Sequence, residues 1–172
     1  MKLKKISSLK TKSLELKPYE DKDMNNAIEL LTNKEIKKTY MIPDFETRDQ
    51  AEKMFLKLKE YSLSDAHFEY GVYLKGDLIG FINDVEIDGD SIEIGYVIHQ
   101  NHKIKGYESE VIAAAIKELF RIGYSCIRTG LFSDNNASRH VMEKCGMKLT
   151  SKTDEIEYRG KVHHCNYYEI TK

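Results

Sequence analysis

The sequence has little cysteine and proline and no tryptophan. Its 172 residues include 3 Cys, 2 Pro and 10 Gly. So little proline and glycine excludes a collagen-like or low-complexity chain. The cysteines Cys126, Cys145 and Cys165 are odd in number, widely spaced and never in a CxxC pair. This argues against a disulfide framework or a thiolate zinc site and favours a reducing, cytoplasmic location.

An excess of charge of one sign and a long apolar run are also lacking. Lys plus Arg is 27 and Asp plus Glu is 28, so the net charge is −1. A protein that tracks nucleic-acid phosphates usually carries a basic excess, and we expect no direct nucleic-acid binding. The longest apolar run, residues 111–116, is far too short to cross a bilayer. The basic N-terminus lacks the apolar core of a signal peptide, so we expect no membrane association.

The apolar residues alternate between helical and strand periods along the chain. No linker, low-complexity stretch or repeat divides residues 1–172, which predicts one domain. The strand, helix and strand within residues 92–132 form a βαβ unit, which predicts a parallel pair in an otherwise antiparallel sheet. The pattern predicts an α+β fold with about seven strands and four helices. The predicted strands are 13–17, 68–74, 78–87, 92–98, 126–132, 147–158 and 162–170, and the helices are 21–32, 48–61, 106–122 and 135–144. Residues 1–12 are rich in Lys, Ser and Thr and form either a solvated lead-in or a short edge strand.

The segment at residues 92–110 contains a candidate anion site. A strand ends, a polar loop follows, and Gly106 opens a helix whose first amides lack intrahelical partners. Such amides attract anions, Lys103 and Lys105 add positive charge, and Gly106 would let a diphosphate approach the backbone. The alternative is an ordinary strand-to-helix turn with solvated lysines.

Three segments together carry a resemblance to a known family. EIGYVIH at 93–99, followed by KGYxxE at 105–110, resembles the acetyl-CoA segment of the GCN5-related N-acetyltransferases (GNAT superfamily). NNASRHVMEKCGM at 135–147 and TKSLELK at 11–17 resemble the RimJ/RimL-like branch, which acetylates N-termini of ribosomal proteins. The resemblance implies the GNAT fold, with a mixed, mostly antiparallel sheet whose fourth and fifth strands splay apart, and acetyl-CoA as co-substrate without a metal.

The resemblance also implies roles for matching positions. Backbone groups of Val97 and His99 would pair with the pantetheine arm beside a β-bulge, Asn135 would bond the same region, and Ser138 would lie near the thioester sulfur. The pyrophosphate would be held by the amides of Lys105, Gly106, Tyr107, Glu108, Ser109 and Glu110.

The phosphate loop departs from the family pattern. Asn101 stands where the family has Gln or Arg, and Ile104 replaces its first Gly. A β-branched residue is costly at positive φ and bulky near phosphates otherwise. This keeps open the alternative of a CoA-binding regulatory module with weak or no catalysis.

Acetyl transfer requires a neutral amine, a donor to the oxyanion and stabilisation of the leaving thiolate. The Val97 N–H is the candidate oxyanion donor. Glu93 matches the position of the general base in GCN5-type enzymes, although it could also pair with a lysine or face solvent. Ser138 could donate to the thiolate or only bond local backbone. The tyrosine acid of many relatives is absent, because Met142 occupies its position.

The acceptor side is less defined by the sequence. The six histidines show no metal-ligand spacing, so we predict no metal site, and His99 could be purely structural. We expect the acceptor to be a protein N-terminus or a small amine or polyamine, and the enzyme to be a monomer or homodimer. Candidate walls are Tyr40, Phe45, Phe81 and Tyr96, and candidate cation-attracting acids are Asp44, Glu46, Asp84 and Glu86.

Overall fold

The computed structural model describes residues 3–103 and 105–172. Their strands form one eight-stranded sheet in the order β1-β2-β3-β4-β5-β6-β8-β7. All neighbouring pairs are antiparallel except β5 and β6, which are parallel as the βαβ pattern predicts. The strands are β1 Leu9–Lys10, β2 Glu15–Lys17, β3 Glu69–Leu74, β4 Asp77–Asp88, β5 Ser91–Ile98, β6 Cys126–Phe132, β7 Lys148–Tyr158 and β8 Lys161–Thr171, and the helices are α1 Met24–Thr32, α2 Arg48–Leu63, α3 Tyr107–Ile122 and α4 Asn136–Lys144.

The two elements nearest the N-terminus differ from the prediction. The strand predicted from residue 13 begins at Glu15, because Thr11 and Leu14 close a turn in which the Thr11 N–H donates to the Leu14 carbonyl at 2.9 Å. This turn joins β2 to the additional edge strand β1. The helix predicted from residue 21 begins with a 3-10 turn over Asp21–Asp23.

The sheet separates two apolar cores, and β5 contributes to both. Ile92, Ile94 and Ile98 pack on the side of α3 with Val111, Ile112 and Leu119. Val97 packs on the opposite side with Phe55 of α2 and Leu30 of α1. Because side chains alternate along a strand, odd-numbered β5 residues face α1 and α2, and even-numbered ones face α3 and α4.

β5 and β6 separate shortly after they begin. Their pairing covers only Ser91–Glu93 against Cys126–Arg128, although both strands continue. The predicted splayed pair is therefore confirmed. The prediction of a bulge near Val97 is wrong, because the bulge lies elsewhere. The register of the β4–β5 ladder shifts at Val85, between Asp84 and Glu86. An extra residue there increases the bend and twist of the pair where β5 leaves β6.

Within the described ranges, we find no helix that combines the length and apolarity needed to span a bilayer.

Candidate active site

The opening between β5 and β6 contains two adjoining cavities. The helix-side cavity, of about 60 Å³, is bordered by α3 and α4 residues such as Glu108 and Ser138. The hairpin-side cavity, of about 690 Å³, is bordered by the β7–β8 hairpin. The two cavities meet at a junction, because five residues line both of them. Groups that enter the two cavities can therefore come into contact there. The shared residues are Thr39, Tyr40, Gly95, Gly130 and Leu131.

Tyr40 covers this junction. Its hydroxyl donates to Asn83 Oδ1 at 2.7 Å, and its ring packs edge-on against Phe81 with centroids 5.6 Å apart. A Cβ at position 95 would lie 2.8 Å from the Tyr40 hydroxyl oxygen, so Gly95 is required for this close approach. Burial raises the pKa of Tyr40 well above its ordinary value, and the hydroxyl stays protonated.

The start of α3 presents unpaired amides, as predicted. Gly106 is the N-cap with φ of +79°, a left-handed conformation that favours glycine. A Cβ there would meet no described atom within 4 Å, so conformation and not space requires this glycine. The Glu110 N–H already donates to the Gly106 carbonyl at 3.2 Å. Glu110 therefore cannot offer its amide to a diphosphate, which leaves five of the six predicted amides, those of Lys105, Gly106, Tyr107, Glu108 and Ser109.

Two acidic side chains in this first turn have separate surroundings. The Glu110 carboxylate accepts hydrogen bonds from the Thr11 hydroxyl at 2.6 Å and from the Ser13 amide and hydroxyl at 3.0 and 2.9 Å. Desolvation opposes ionisation, but these bonds outweigh it and lower the pKa of Glu110. Glu108 is half-buried against the helix-side cavity with Lys103, and burial raises its pKa.

The backbone of β5 turns different residues toward the opening than the sequence suggested. The His99 N–H donates to the Ile79 carbonyl of β4 at 2.8 Å, and its carbonyl accepts from the His102 N–H at 2.9 Å. Val97 pairs with Phe81 of β4 and lies two residues from His99, so its amide points the same way. The amides of Tyr96 and Ile98 face the opening instead.

The His99 ring has a structural role. Its Nδ1 accepts from the Asn101 N–H at 3.2 Å, and its Nε2 lies 3.2 Å from Glu29 Oε1. These contacts fix the loop between β5 and α3. They agree with the alternative that the His99 side chain is purely structural.

The start of α4 brings Asn135 and Ser138 to the helix-side cavity. Asn135 Oδ1 caps the helix by accepting from the Ser138 N–H at 3.2 Å, and its side-chain N–H₂ donates to no residue in the described ranges. The Ser138 Oγ accepts from the Tyr96 hydroxyl at 3.2 Å. Burial raises the pKa of Tyr96 well above its ordinary value, so this hydroxyl pair keeps its protons.

Tyr96 is the main functional candidate that sequence reasoning placed differently, since it was expected as an acceptor wall. The alternation of β5 could have placed it with Ile94 and Ile98 on the α3 and α4 side. Met142 also lines the helix-side cavity, so the phenol of Tyr96 lies near the position from which the family's tyrosine is missing.

Glu93 lies in the hairpin-side cavity, whereas Val97 lines the helix-side cavity. Both face the same side of the sheet, as predicted, but they are separated by Gly95 at the junction. Burial raises the pKa of Glu93, although Lys152 and Arg128 oppose the shift. Glu93 is therefore a half-buried carboxylate that can accept a proton.

Two of the four predicted cation-attracting acids, Asp84 and Glu86, line the hairpin-side cavity. Asp44 instead pairs with Lys37 and Arg159 at 2.8 Å each. Glu46 is exposed and lines neither cavity. Sequence reasoning missed individual residues of the β7–β8 hairpin, where Tyr167 donates to Asp154 at 2.7 Å beside Lys152.

The residues at 3–103 and 105–172 include no group of three or more His, Cys, Asp or Glu side chains placed to hold a metal ion. Ile104, the departure in the phosphate loop, lies outside the described residues.

Comparison with known proteins places this geometry in a family. The family model of the acetyltransferase (GNAT) domain matches residues 13–148. An uncharacterised N-acetyltransferase, YoaA of Bacillus subtilis (strain 168), is 27% identical over 170 residues, which are 95% of this chain and 96% of that protein.

Solved structures share the fold at lower identity. The ribosomal L7/L12 α-N-protein acetyltransferase RimL matches with a TM-score of 0.83 and 17% identity over 96% of this chain and 94% of that one. Spermidine N-acetyltransferase from Vibrio cholerae, in complex with CoA and spermine, matches with a TM-score of 0.80 and 22% identity over 94% and 96%. With a splayed sheet, an open helix N-terminus beside the opening and a family model that covers most of its length, the chain belongs to the GNAT family of acetyl-CoA-dependent acetyltransferases.

Proposed function

We propose that the enzyme transfers an acetyl group from acetyl-CoA to a primary amine by direct attack within a ternary complex. The observation that carries this proposal is the meeting of two cavities at Gly95 and Tyr40. A donor in one cavity and an acceptor in the other would be in contact there without a covalent enzyme intermediate.

The helix-side cavity is the proposed place of the cofactor. The amides of Lys105, Gly106, Tyr107, Glu108 and Ser109 would bind the diphosphate at the start of α3, where the helix dipole favours anions. The pantetheine arm would lie between β5 and β6 and pair with the outward-facing backbone of Tyr96 and Ile98. The free side-chain N–H₂ of Asn135 would bond the same arm.

Each group of the reaction then has a candidate partner. Glu93 would take a proton from the incoming ammonium, directly or through water, so that the neutral nitrogen attacks the thioester carbon. The β5 amide nearest the carbonyl would donate to the oxyanion. The carbon–sulfur bond breaks, the leaving thiolate would accept a hydrogen bond from the Tyr96 and Ser138 hydroxyl pair, and the second proton of the attacking nitrogen would pass to the thiolate or to solvent.

The charge of the hairpin-side cavity supports an amine that arrives as a cation. Four carboxylates line it, together with the single ammonium group of Lys152. The carboxylates belong to Asp84, Glu86, Glu93 and Asp154. RimL and the Vibrio spermidine enzyme are named for a protein N-terminus and a small amine, and both kinds of acceptor remain within this proposal.

The test is release of free CoA thiol from acetyl-CoA, with mass spectrometry of the product. Small amines, polyamines and short peptides with free N-termini would serve as acceptors. We expect amine-dependent thiol release and a product heavier by one acetyl group. Binding of acetyl-CoA without turnover on any amine would contradict the proposal and favour a CoA-binding module.

A further inference from the structure

A third cavity of about 150 Å³, the side pocket, lies between α2 and the sheet. Its walls are mainly apolar and include Phe45, Met54, Leu58 and Phe81. One acidic side chain, Glu69, also lines it. Apolar walls that enclose a single carboxyl group are suited to a small, largely apolar ligand group.

Glu69 is an unusual residue for such a position. It is 3% exposed, and its Oε1 accepts from the Tyr19 hydroxyl at 2.6 Å. Its Oε2 receives no hydrogen bond from any residue that the structure describes. Burial raises the pKa of Glu69 to about 8, so near pH 7 it is mostly an uncharged acid with a proton to donate. Glu69 lines the side pocket, so its unpaired oxygen is available to a ligand there, and the acetyl transfer steps above do not use it.

The side pocket adjoins the hairpin-side cavity, because Tyr40, Met41 and Asn83 line both. The register of the sheet gives the distance between the side pocket and the junction. Glu69 pairs with Asn83, and Asn83 pairs with Gly95, so the three stand in one row across β3, β4 and β5. Two strand spacings place Glu69 about 10 Å from Gly95. Asn83, which lines the side pocket, is only one strand spacing of about 5 Å from Gly95, a distance that an unbranched side chain such as that of norleucine can span.

We propose that the side pocket binds an uncharged, apolar side group of the amine acceptor and that Glu69 donates a hydrogen bond to an oxygen or sulfur atom on it. This inference rests on the proposed function. A cationic side group would be disfavoured, because the apolar walls would strip it of water. In addition, the Lys5 ammonium group donates to the backbone carbonyl of Glu69 at 3.3 Å, so a positive charge is already near and would repel a second cation.

The experiment compares amino-acid amides that share one reacting amine and differ in the side chain. Glycinamide, norleucinamide, methioninamide and argininamide would be acetylated under identical conditions. We expect kcat/KM for norleucinamide and methioninamide to exceed that of glycinamide by about tenfold or more, because several methylene groups leave water. Argininamide should gain no such advantage.

Variants locate the effect. Met54→Trp fills the side pocket and should remove the preference while glycinamide turnover persists. Leu56→Trp is the matched control, since Leu56 lies on the same helix and is 51% exposed. Glu69→Gln keeps a donor and should retain the methioninamide rate, whereas Glu69→Leu should lower it relative to norleucinamide.

The outcomes separate the two proposals. Acetylation that does not depend on the side chain, or a preference for argininamide, would overturn the side-pocket assignment alone. If Met54→Trp does not fold, the comparison of Glu69→Gln with Glu69→Leu still decides, since equal ratios in both would contradict the role of Glu69. Failure to acetylate any amine would overturn the proposed function and this inference with it.

Discussion

The Tyr40 hydroxyl donates to Asn83 across 2.7 Å and thereby holds the Tyr40 ring over Gly95, where the two cavities meet. The ring lies on the wall of both cavities and of the side pocket. One aromatic side chain therefore determines the shape of the space in which donor and acceptor would react.

Gly95→Ala should displace this ring. The added Cβ would lie 2.8 Å from the Tyr40 hydroxyl and 3.0 Å from its ring edge, so one of them must move. We expect kcat/KM to fall about 10- to 100-fold through misalignment, with little change in acetyl-CoA affinity. Tyr40→Phe removes the nearest atom and should partly relieve the loss in the double variant, measured as a double-mutant cycle. Strict additivity of the two effects would contradict the contact.

Gly106→Ala should weaken acetyl-CoA binding. Alanine at φ of +79° costs about 1–2 kcal/mol, and relief of this strain would turn the first amides of α3 away from the diphosphate. Gly123→Ala at the other end of α3, with φ of +112°, is the control and should lower stability without changing affinity. Calorimetry should show a dissociation constant raised about tenfold in the first variant only. Equal affinities of the two variants for acetyl-CoA would contradict the assignment of the diphosphate to the start of α3.

Glu93→Gln tests the general base. The pKa of Glu93 is raised by burial, and the base acts only when ionised, so the wild-type rate should rise with pH through that pKa. In the variant, this rise of the rate with pH should be absent, and kcat/KM should be lower by about 10²–10⁴-fold. Glu86→Gln, in the same cavity but more exposed, should change mainly KM for the amine. Similar constants for wild type and Glu93→Gln would mean that solvent deprotonates the amine.

Tyr96→Phe tests stabilisation of the thiolate. Its ring packing persists, but the hydroxyl beside Ser138 is lost, and we expect kcat to fall about 10²-fold or more. Ser138→Ala should add little to this variant, because both hydroxyls act on one atom. Tyr124→Phe is a suitable control, since the buried Tyr124 hydroxyl has no partner in the described chain. Single-turnover rates should separate this effect from CoA release.

Glu69→Gln should change how stability depends on pH. The unfolded chain releases this proton near pH 4.5 and the folded protein near 8, so ionisation opposes folding between these values. The wild type should lose about 1.4 kcal/mol of unfolding free energy per pH unit in this window relative to the variant. The shift of Lys5, from 10.5 to about 8, acts above the window. Parallel denaturation curves for both proteins from pH 5 to 8 would show that Glu69 is not buried as described.

Much of the fold follows from local periodicity. β6 lies at the predicted residues 126–132, and Gly106 and Gly146 mark helix ends with positive φ, because these signals depend on neighbours in sequence. The bulge at Val85 depends on pairing across the sheet, and so does the choice between an edge strand and a solvated lead-in for residues 1–12; period alone determines neither.

The residues of the candidate active site were predicted less completely, because their directions also depend on pairing across the sheet. The motifs located the start of α3, Glu93, Asn135 and Ser138 in chain segments that do border the cavities. The direction of each β5 amide depends on its register with β4, however, and the sequence gives no register. Glu69 had no motif at all, because its significance comes from burial.

The three hydrogen bonds that Glu110 accepts from Thr11 and Ser13 join residues almost one hundred positions apart. These hydrogen bonds hold the N-terminal hairpin, residues 9–17, against the first turn of α3. A ligand that binds this turn more tightly when the hairpin is docked favours the docked state by mass action. The N-terminal strands should therefore become more resistant to proteolysis as the enzyme is saturated with cofactor. Cleavage near the N-terminus would then report cofactor binding at the start of α3.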